Sequence, residues 1–392
     1  PDVLDGAWGT EAYWLTGYLN IPKCLQLALY DGYDVMFKKQ IGPHTGKAED
    51  FKSYDELWNA FKTQLEYIID VKMRGNLVIE RIYSQMMPAP FLSICTDDCI
   101  KKGKDYNAGG PRYNTSYIQG VGIGTISDAL SAIKFNVFDN QKFTMKELID
   151  AMNDDFKDHE DILNLVKNKT PKYGNDDDYA DDIMVSVFNE YKDYITGRPT
   201  TRGGVYHVDM LPTTCHVYFG DVMIATPNGR LAHNPLSEGI SPEKGADING
   251  PTAVLNPAQD EHCETGGTLL NQKFTPAAIA GEKGIDNLAA LIRSYFAMNG
   301  HHMQFNVIDR QTLIEAQKNP EEYKELIVRV AGYSDYFRNL DKPLQNEIIE
   351  RTEQALEAGL LLIARNSLTT LKVLSSTYNA FYENDIAPKG RK

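Results

Sequence analysis

Five cysteines stand at Cys24, Cys95, Cys99, Cys215 and Cys263, and a thiol is the side chain best suited to nucleophilic, metal or radical chemistry. An odd number thinly spread over a long chain reads as reduced thiols rather than a disulfide framework. Cys95 and Cys99 lie one helical turn apart. A radical-generating iron–sulfur motif would need a third cysteine three residues on, and that position is Lys102. A zinc site would need further ligands at short spacing, and the histidines, His301-His302 included, form no i, i+4 pair. Gly120-Val121-Gly122-Ile123-Gly124 suggests a dinucleotide fingerprint. Its final glycine spacing is wrong and no repeated βαβ units surround it, so a close-packed turn before a helix is the better reading. Neither a Gly-x-Ser-x-Gly elbow nor a Gly-x-x-x-x-Gly-Lys phosphate loop occurs.

The segment Arg329-Val330-Ala331-Gly332-Tyr333-Ser334-Asp335-Tyr336-Phe337 is of another kind. Taken alone, a glycine after a short apolar strand is a turn, because glycine tolerates positive φ cheaply. With the stretch from Gln345 to Arg351-Thr352-Glu353, however, it resembles the radical-bearing loop of the glycyl radical enzymes. The same family's signatures are matched in order by Pro90-Phe91-Leu92-Ser93, Gly103 to Asn107, Gly109 to Asn114, Glu238 to Pro242, Gly250 to Val254, Gly267 to Phe274 and Gln304-Phe305-Asn306-Val307. The resemblance covers Pro1 to about Glu353 and fits the dehydratase-like branch better than pyruvate formate-lyase proper.

The resemblance implies a radical stored on the main-chain α-carbon of Gly332, within a loop formed by Arg329, Val330, Tyr333 and Ser334. A near-planar α-carbon lets the amide nitrogen and carbonyl share the spin, and a side chain would disturb it. No cofactor is expected to be bound. The radical would be installed by a separate S-adenosylmethionine iron–sulfur activating enzyme, since such chemistry is beyond unaided side chains. It would then pass to a cysteine thiol, and the thiyl radical would take a hydrogen atom from a small-molecule substrate. Pro1 resembles the proline of the family's Cys-x-Glu-Pro segment, which implies that the active cysteine and the glutamate base lie upstream of residue 1. Tyr13 and Tyr18 stand where dehydratase-like relatives place substrate-pocket residues. They read either as phenolic donors to a substrate or as packed aromatics with satisfied hydroxyls. Dehydration of a diol or hydroxyproline-like molecule is the first expectation. Arylacetate decarboxylation, other C–C, C–N or C–S scission, and a non-catalytic subunit supplying a replacement radical loop are the alternatives.

The elements that must position these residues follow from composition and periodicity. The 392 residues are 42% hydrophobic and 24% charged, as in a soluble globular protein, and no apolar run approaches a membrane span. The net charge of −14 disfavours nucleic-acid and anionic-membrane partners. No secretory signal is visible at the N-terminus, so a cytoplasmic location is expected. Leu25–Phe37, Tyr54–Gln85, Ile126–Val137 and Met145–Phe156 read as helices, the second carrying Leu57, Phe61, Leu65, Ile68 and Ile69 at three-to-four spacing. The acidic stretch from Lys167 to Asp182 reads as a solvated loop or helix start. Cys215–Phe219, Val222–Ala225, His302–Ile308 and Ile327–Val330 read as strands, Pro227-Asn228-Gly229 as a turn, and Thr312–Gln317 as helix.

Alternating helices and strands argue for an α/β architecture. The resemblance refines this to a ten-stranded β/α barrel of two five-stranded half-barrels, with this chain covering the C-terminal half and a buried glycine loop. It divides the chain into residues 1–240 of the barrel, 241–354 of a glycine radical domain, and a tail, 355–392, of no assigned role. A homodimer is expected.

Overall fold

The computed structural model describes residues 9–255 and 267–354. Pro1, Cys263 and the tail from residue 355 lie outside the described residues.

Strand β1 (Glu11–Asn20) runs straight into helix α1 (Ile21–Leu29), whose first turn is capped by the Asn20 side chain accepting from the Lys23 amide at 3.1 Å. Helix α1 stops at Leu29, short of the expected Phe37. Asp31 turns to a φ of +53°, the Gly32 amide bonds back to the Leu27 carbonyl, and a hairpin of β2 (Tyr33–Asp34) and β3 (Lys39–Gln40) follows. The long helix α2 (Tyr54–Met86) starts at a Ser53 cap and buries Leu57, Phe61, Leu65 and Ile69, as their spacing predicts. Short helices α3 (Pro90–Cys95) and α4 (Cys99–Lys102) lead into β4 (Tyr113–Val121). The glycine-rich motif then makes the turn into helix α5 (Ile123–Ile133). Gly122 sits at φ +87°, and a Cβ there would lie 2.8 Å from the Pro22 ring, so strand and helix pack too closely for a side chain.

Helices α6 (Met145–Asn153), α7 (Glu160–Asn168) and α8 (Asp178–Ile195) precede β5 (Tyr206–Asp209). The acidic stretch is thus loop, then helix start. Cys215–Phe219 is not a strand: it lies in helix α9 (Cys215–Asp221), and Val222–Ala225 is irregular. Pro212 carries no amide hydrogen, Thr213 turns at φ +52°, and the Pro212 carbonyl accepts from the Cys215 amide at 2.9 Å. These break the extended chain after β5, overriding the β-branched and aromatic composition of the segment. Helix α10 (Pro251–Leu255), β6 (Leu269–Phe274), helix α11 (Gly281–Ala297), β7 (His302–Val307) and helix α12 (Arg310–Lys318) follow. A hairpin of β8 (Ile327–Arg329) and β9 (Ser334–Tyr336), helix α13 (Lys342–Glu350) and β10 (Glu353–Gln354) complete the described chain.

The larger strands all run parallel. β4 lies between β1 and β5, and β6 lies between β7 and β10. A parallel bridge from Met210 to Thr268 joins the end of β5 to the start of β6. The result is an α/β architecture with the succession β1-β4-β5-β6-β7, open among the described residues. The main core lies between this sheet and its helices, and a second cluster around Val328, Val330, Phe337, Leu344 and Ile348 underlies the hairpin.

Candidate functional site

The β8–β9 hairpin pairs Ile327 with Tyr336, Val328 with Asp335 and Arg329 with Ser334, and the Val330 amide closes the turn on the Tyr333 carbonyl at 2.8 Å. Gly332 occupies this turn at φ +84°. A Cβ at that position would stand 2.9 Å from Leu211 Cδ1, so conformation and packing both select glycine. Val330 and Ala331 point inward and are fully buried, whereas Gly332, Tyr333 and Ser334 are exposed. Within this chain, the hairpin rests on the sheet through the two residues before the glycine.

The Arg329 side chain fixes the hairpin sideways: Nε and Nη2 donate to Gln304 Oε1 at 3.0 and 2.7 Å, and Nη1 donates to Ser334 Oγ at 3.1 Å. Below it, Arg351 donates from Nε and Nη2 to the Glu347 carboxylate at 3.1 and 2.9 Å, and His216 Nε2 lies 3.5 Å from the same carboxylate. Burial works against a charged Glu347, but the Arg351 guanidinium and His216 outweigh it and hold the carboxyl well below the usual carboxylate range. Burial pushes the neighbouring Glu238 carboxyl up, opposed by Arg351.

The two tyrosines meet the hairpin on one short segment. Tyr13 Oη donates to Asp209 Oδ2 at 2.7 Å, and Tyr18 Oη is hydrogen-bonded to Thr213 Oγ1 at 3.1 Å. Leu211 touches Gly332 between those two anchors. Residues 209–213, where β5 ends, therefore bring Tyr13, Tyr18 and Gly332 to one end of the parallel sheet. Tyr13 also lines a cavity of ≈ 440 Å³ with Trp14, Thr16, Asn76, Glu80 and Tyr83. Asp209, Leu211 and Thr213 carried no motif, and the strand's sequence alone gives no signal for them. Asn271, Gln304 and Asn306 lay inside signature segments without a role.

The buried thiols are poor nucleophiles: burial pushes Cys24 up to about 12 and raises Cys99 and Cys215. Cys215 Sγ and Tyr218 Oη are hydrogen-bonded at 2.5 Å. Among the described residues, no group of three His, Cys, Asp or Glu is placed to hold a metal ion, and no helix is long and apolar enough to cross a membrane.

A parallel α/β sheet with a turn glycine held at its strand ends defines the class, and comparison with known proteins gives the family. Residues 3–220 match the family described as pyruvate formate lyase-like, and residues 236–338 match the glycine radical family. Trans-4-hydroxy-L-proline dehydratase of Clostridioides difficile is 63% identical over 353 residues, covering 90% of this chain and 45% of that protein. (2S)-3-sulfopropanediol dehydratase of Klebsiella oxytoca is 38% identical, covering 88% of this chain and 43% of that protein. The crystal structure of the Clostridioides difficile hydroxyproline dehydratase with its substrate superposes with a TM-score of 0.87 at 63% identity, covering 88% of this chain and 44% of that one. The glycerol-bound B12-independent glycerol dehydratase from Clostridium butyricum gives 0.83 at 43% identity, with the same coverage, 88% and 44%. The chain belongs to the glycyl radical enzyme family. It spans less than half the length of the curated relatives it matches.

Proposed function

We propose that this chain is the C-terminal portion of a glycyl radical dehydratase that stores its radical on Gly332 and acts on trans-4-hydroxy-L-proline or a close analogue. The observation that carries the reading is Gly332 itself: a turn glycine at φ +84°, packed on Leu211 at the segment that also anchors Tyr13 and Tyr18. The 63% identity to a hydroxyproline dehydratase supports the substrate class over a diol. Arg329, Val330, Tyr333 and Ser334 shape the loop, and Tyr13 and Tyr18 are the chain's candidates for substrate contact. A radical S-adenosylmethionine enzyme abstracts a hydrogen atom from Gly332 Cα. The glycyl radical then takes the hydrogen of a cysteine thiol outside this chain, and the thiyl takes one from a substrate carbon. A carboxylate base beside that cysteine takes a proton from the substrate and passes it to the hydroxyl, which leaves as water, and the product radical takes back the thiol hydrogen.

In this reading the five parallel strands form one half of a ten-stranded barrel, and the chain divides at about residue 240 into barrel and glycine radical units. The assembly is a cytoplasmic homodimer. The separate apolar cluster beneath the hairpin supports a radical unit with packing of its own.

Anaerobic activation of the complete protein followed by electron paramagnetic resonance tests the reading. A glycyl doublet is expected in the wild type and none in Gly332→Ala, and air is expected to cut the activated wild-type chain at residue 332. A doublet that persists in the variant removes Gly332 from the mechanism.

A further inference from the structure

Strand β8 has three residues and pairs on one side only, with β9. The Arg329 amide and carbonyl, three residues before Gly332, point to the other side, where a neighbouring strand would normally meet them. A side chain does so instead. The Arg329 N–H donates to Asn306 Oδ1 at 2.8 Å, and Asn306 Nδ2 donates back to the Arg329 carbonyl at 2.8 Å. One carboxamide thus reproduces the two-bond pairing of a strand edge. Asn306 lies on β7 and is buried, so this clamp is desolvated and seated on the sheet. Two further groups reach the same short stretch of backbone. Asn271 Nδ2, on β6, donates to the Val330 carbonyl at 3.3 Å, and Arg351 Nη1 donates to the Arg329 carbonyl at 3.4 Å.

We propose that Asn306 is a positioning residue that registers the glycine hairpin on the parallel sheet and so sets where Gly332 Cα stands, with Asn271 and Arg351 in support. The proposal rests on the reading of Gly332 as the radical site. Hydrogen-atom transfer depends on donor and acceptor being held in place, and a displacement of about 1 Å costs on the order of a hundredfold in rate. Main-chain clamps immediately before the turn control that displacement, because only Val330 and Ala331 separate Arg329 from Gly332.

The test uses the complete protein with Asn306→Ala and Asn306→Asp. Glycyl spins per chain, turnover per spin, and hydrogen–deuterium exchange across residues 327–336 are measured for each. Asn306→Ala is expected to accept a radical yet lose about tenfold or more in turnover per spin, with exchange rising in residues 327–336 and nowhere else. Asn306→Asp keeps the acceptor for the Arg329 amide and loses the donor, so its loss is expected to be smaller. It also serves if the alanine variant does not fold. Wild-type turnover per spin with wild-type exchange in the variants overturns the proposal, as does a rise in exchange spread evenly over the chain. Should the wild type itself give no doublet, the radical reading fails, while the exchange rates still decide the clamp.

Discussion

Tyr13 and Tyr18 face the end of β5 with different partners, and the difference sets what each substitution does. Tyr13 donates to the buried Asp209 side chain, so Tyr13→Phe removes one of that group's hydrogen bonds. It is expected to cost about 1–3 kcal/mol in urea unfolding. The Tyr18 hydroxyl meets the neutral Thr213 hydroxyl, and burial raises its pKa, so it is a neutral donor at physiological pH. Tyr18→Phe is expected to raise KM several-fold with the radical yield unchanged and stability altered by about 1 kcal/mol or less. An unchanged KM in steady-state assays would leave Tyr18 as a packed aromatic. Gly332 differs from both. Its proposed role comes from the resemblance of its segment to the family's radical loop, whereas its contact with Leu211 joins positions 121 residues apart, and no spacing rule reaches that far.

Among the elements, α2 carries the clearest sequence signal and also an undetected anchor. The apolar stripe is read from its period, yet Glu80, one of its polar residues, is buried. Its carboxylate accepts from Ser116 Oγ on β4 at 2.6 Å, Tyr206 Oη on β5 at 3.0 Å, and the Thr201 amide and hydroxyl at 2.9 and 2.8 Å. One side chain therefore ties the helix to two strands and to the turn before β5. Arg202, stacked over Trp14 at 3.8 Å, donates to the same Ser116 hydroxyl at 2.9 Å. Glu80→Ala takes this acceptor away from the buried Ser116 and Tyr206 hydroxyls. A loss of about 3 kcal/mol is expected from chemical denaturation, and Glu80→Gln should lose roughly half as much. Helix α9 teaches the converse: Cys215–Phe219 has strand-like composition, but the turn at Pro212 and Thr213 decides its conformation.

At the scale of the whole molecule, buried carboxylates set the pH response. Burial pushes Asp128 and Asp181 up to about 7, and Asp247 up to about 6, with Lys172 only partly offsetting the effect at Asp128. Because these folded-state values exceed those of an unfolded chain, the native state holds more protons between about pH 4 and pH 7. Their contribution to stability falls as pH rises through that window, is flat below it where both states are protonated, and stays at its full cost above it. Asp128→Asn removes one such group's share. Relative to wild type it is expected to gain about 3 kcal/mol between about pH 4.5 and about pH 7.5, at roughly 1.4 kcal/mol per unit where only the native carboxyl is protonated. Urea midpoints at the two pH values check this, and a constant difference would contradict it.

Local physics was enough to read the period of α2, the glycine turn into α5, the strand at β7 and a side-chain-free carbon at residue 332, because each depends on sterics or spacing within one segment. Order and register of distant strands determined the rest. They placed Leu211 against Gly332 and turned Asn306 onto the Arg329 backbone. Side chains more than twenty residues apart meet only once the parallel sheet has been laid down, and a linear pattern carries no record of that distance.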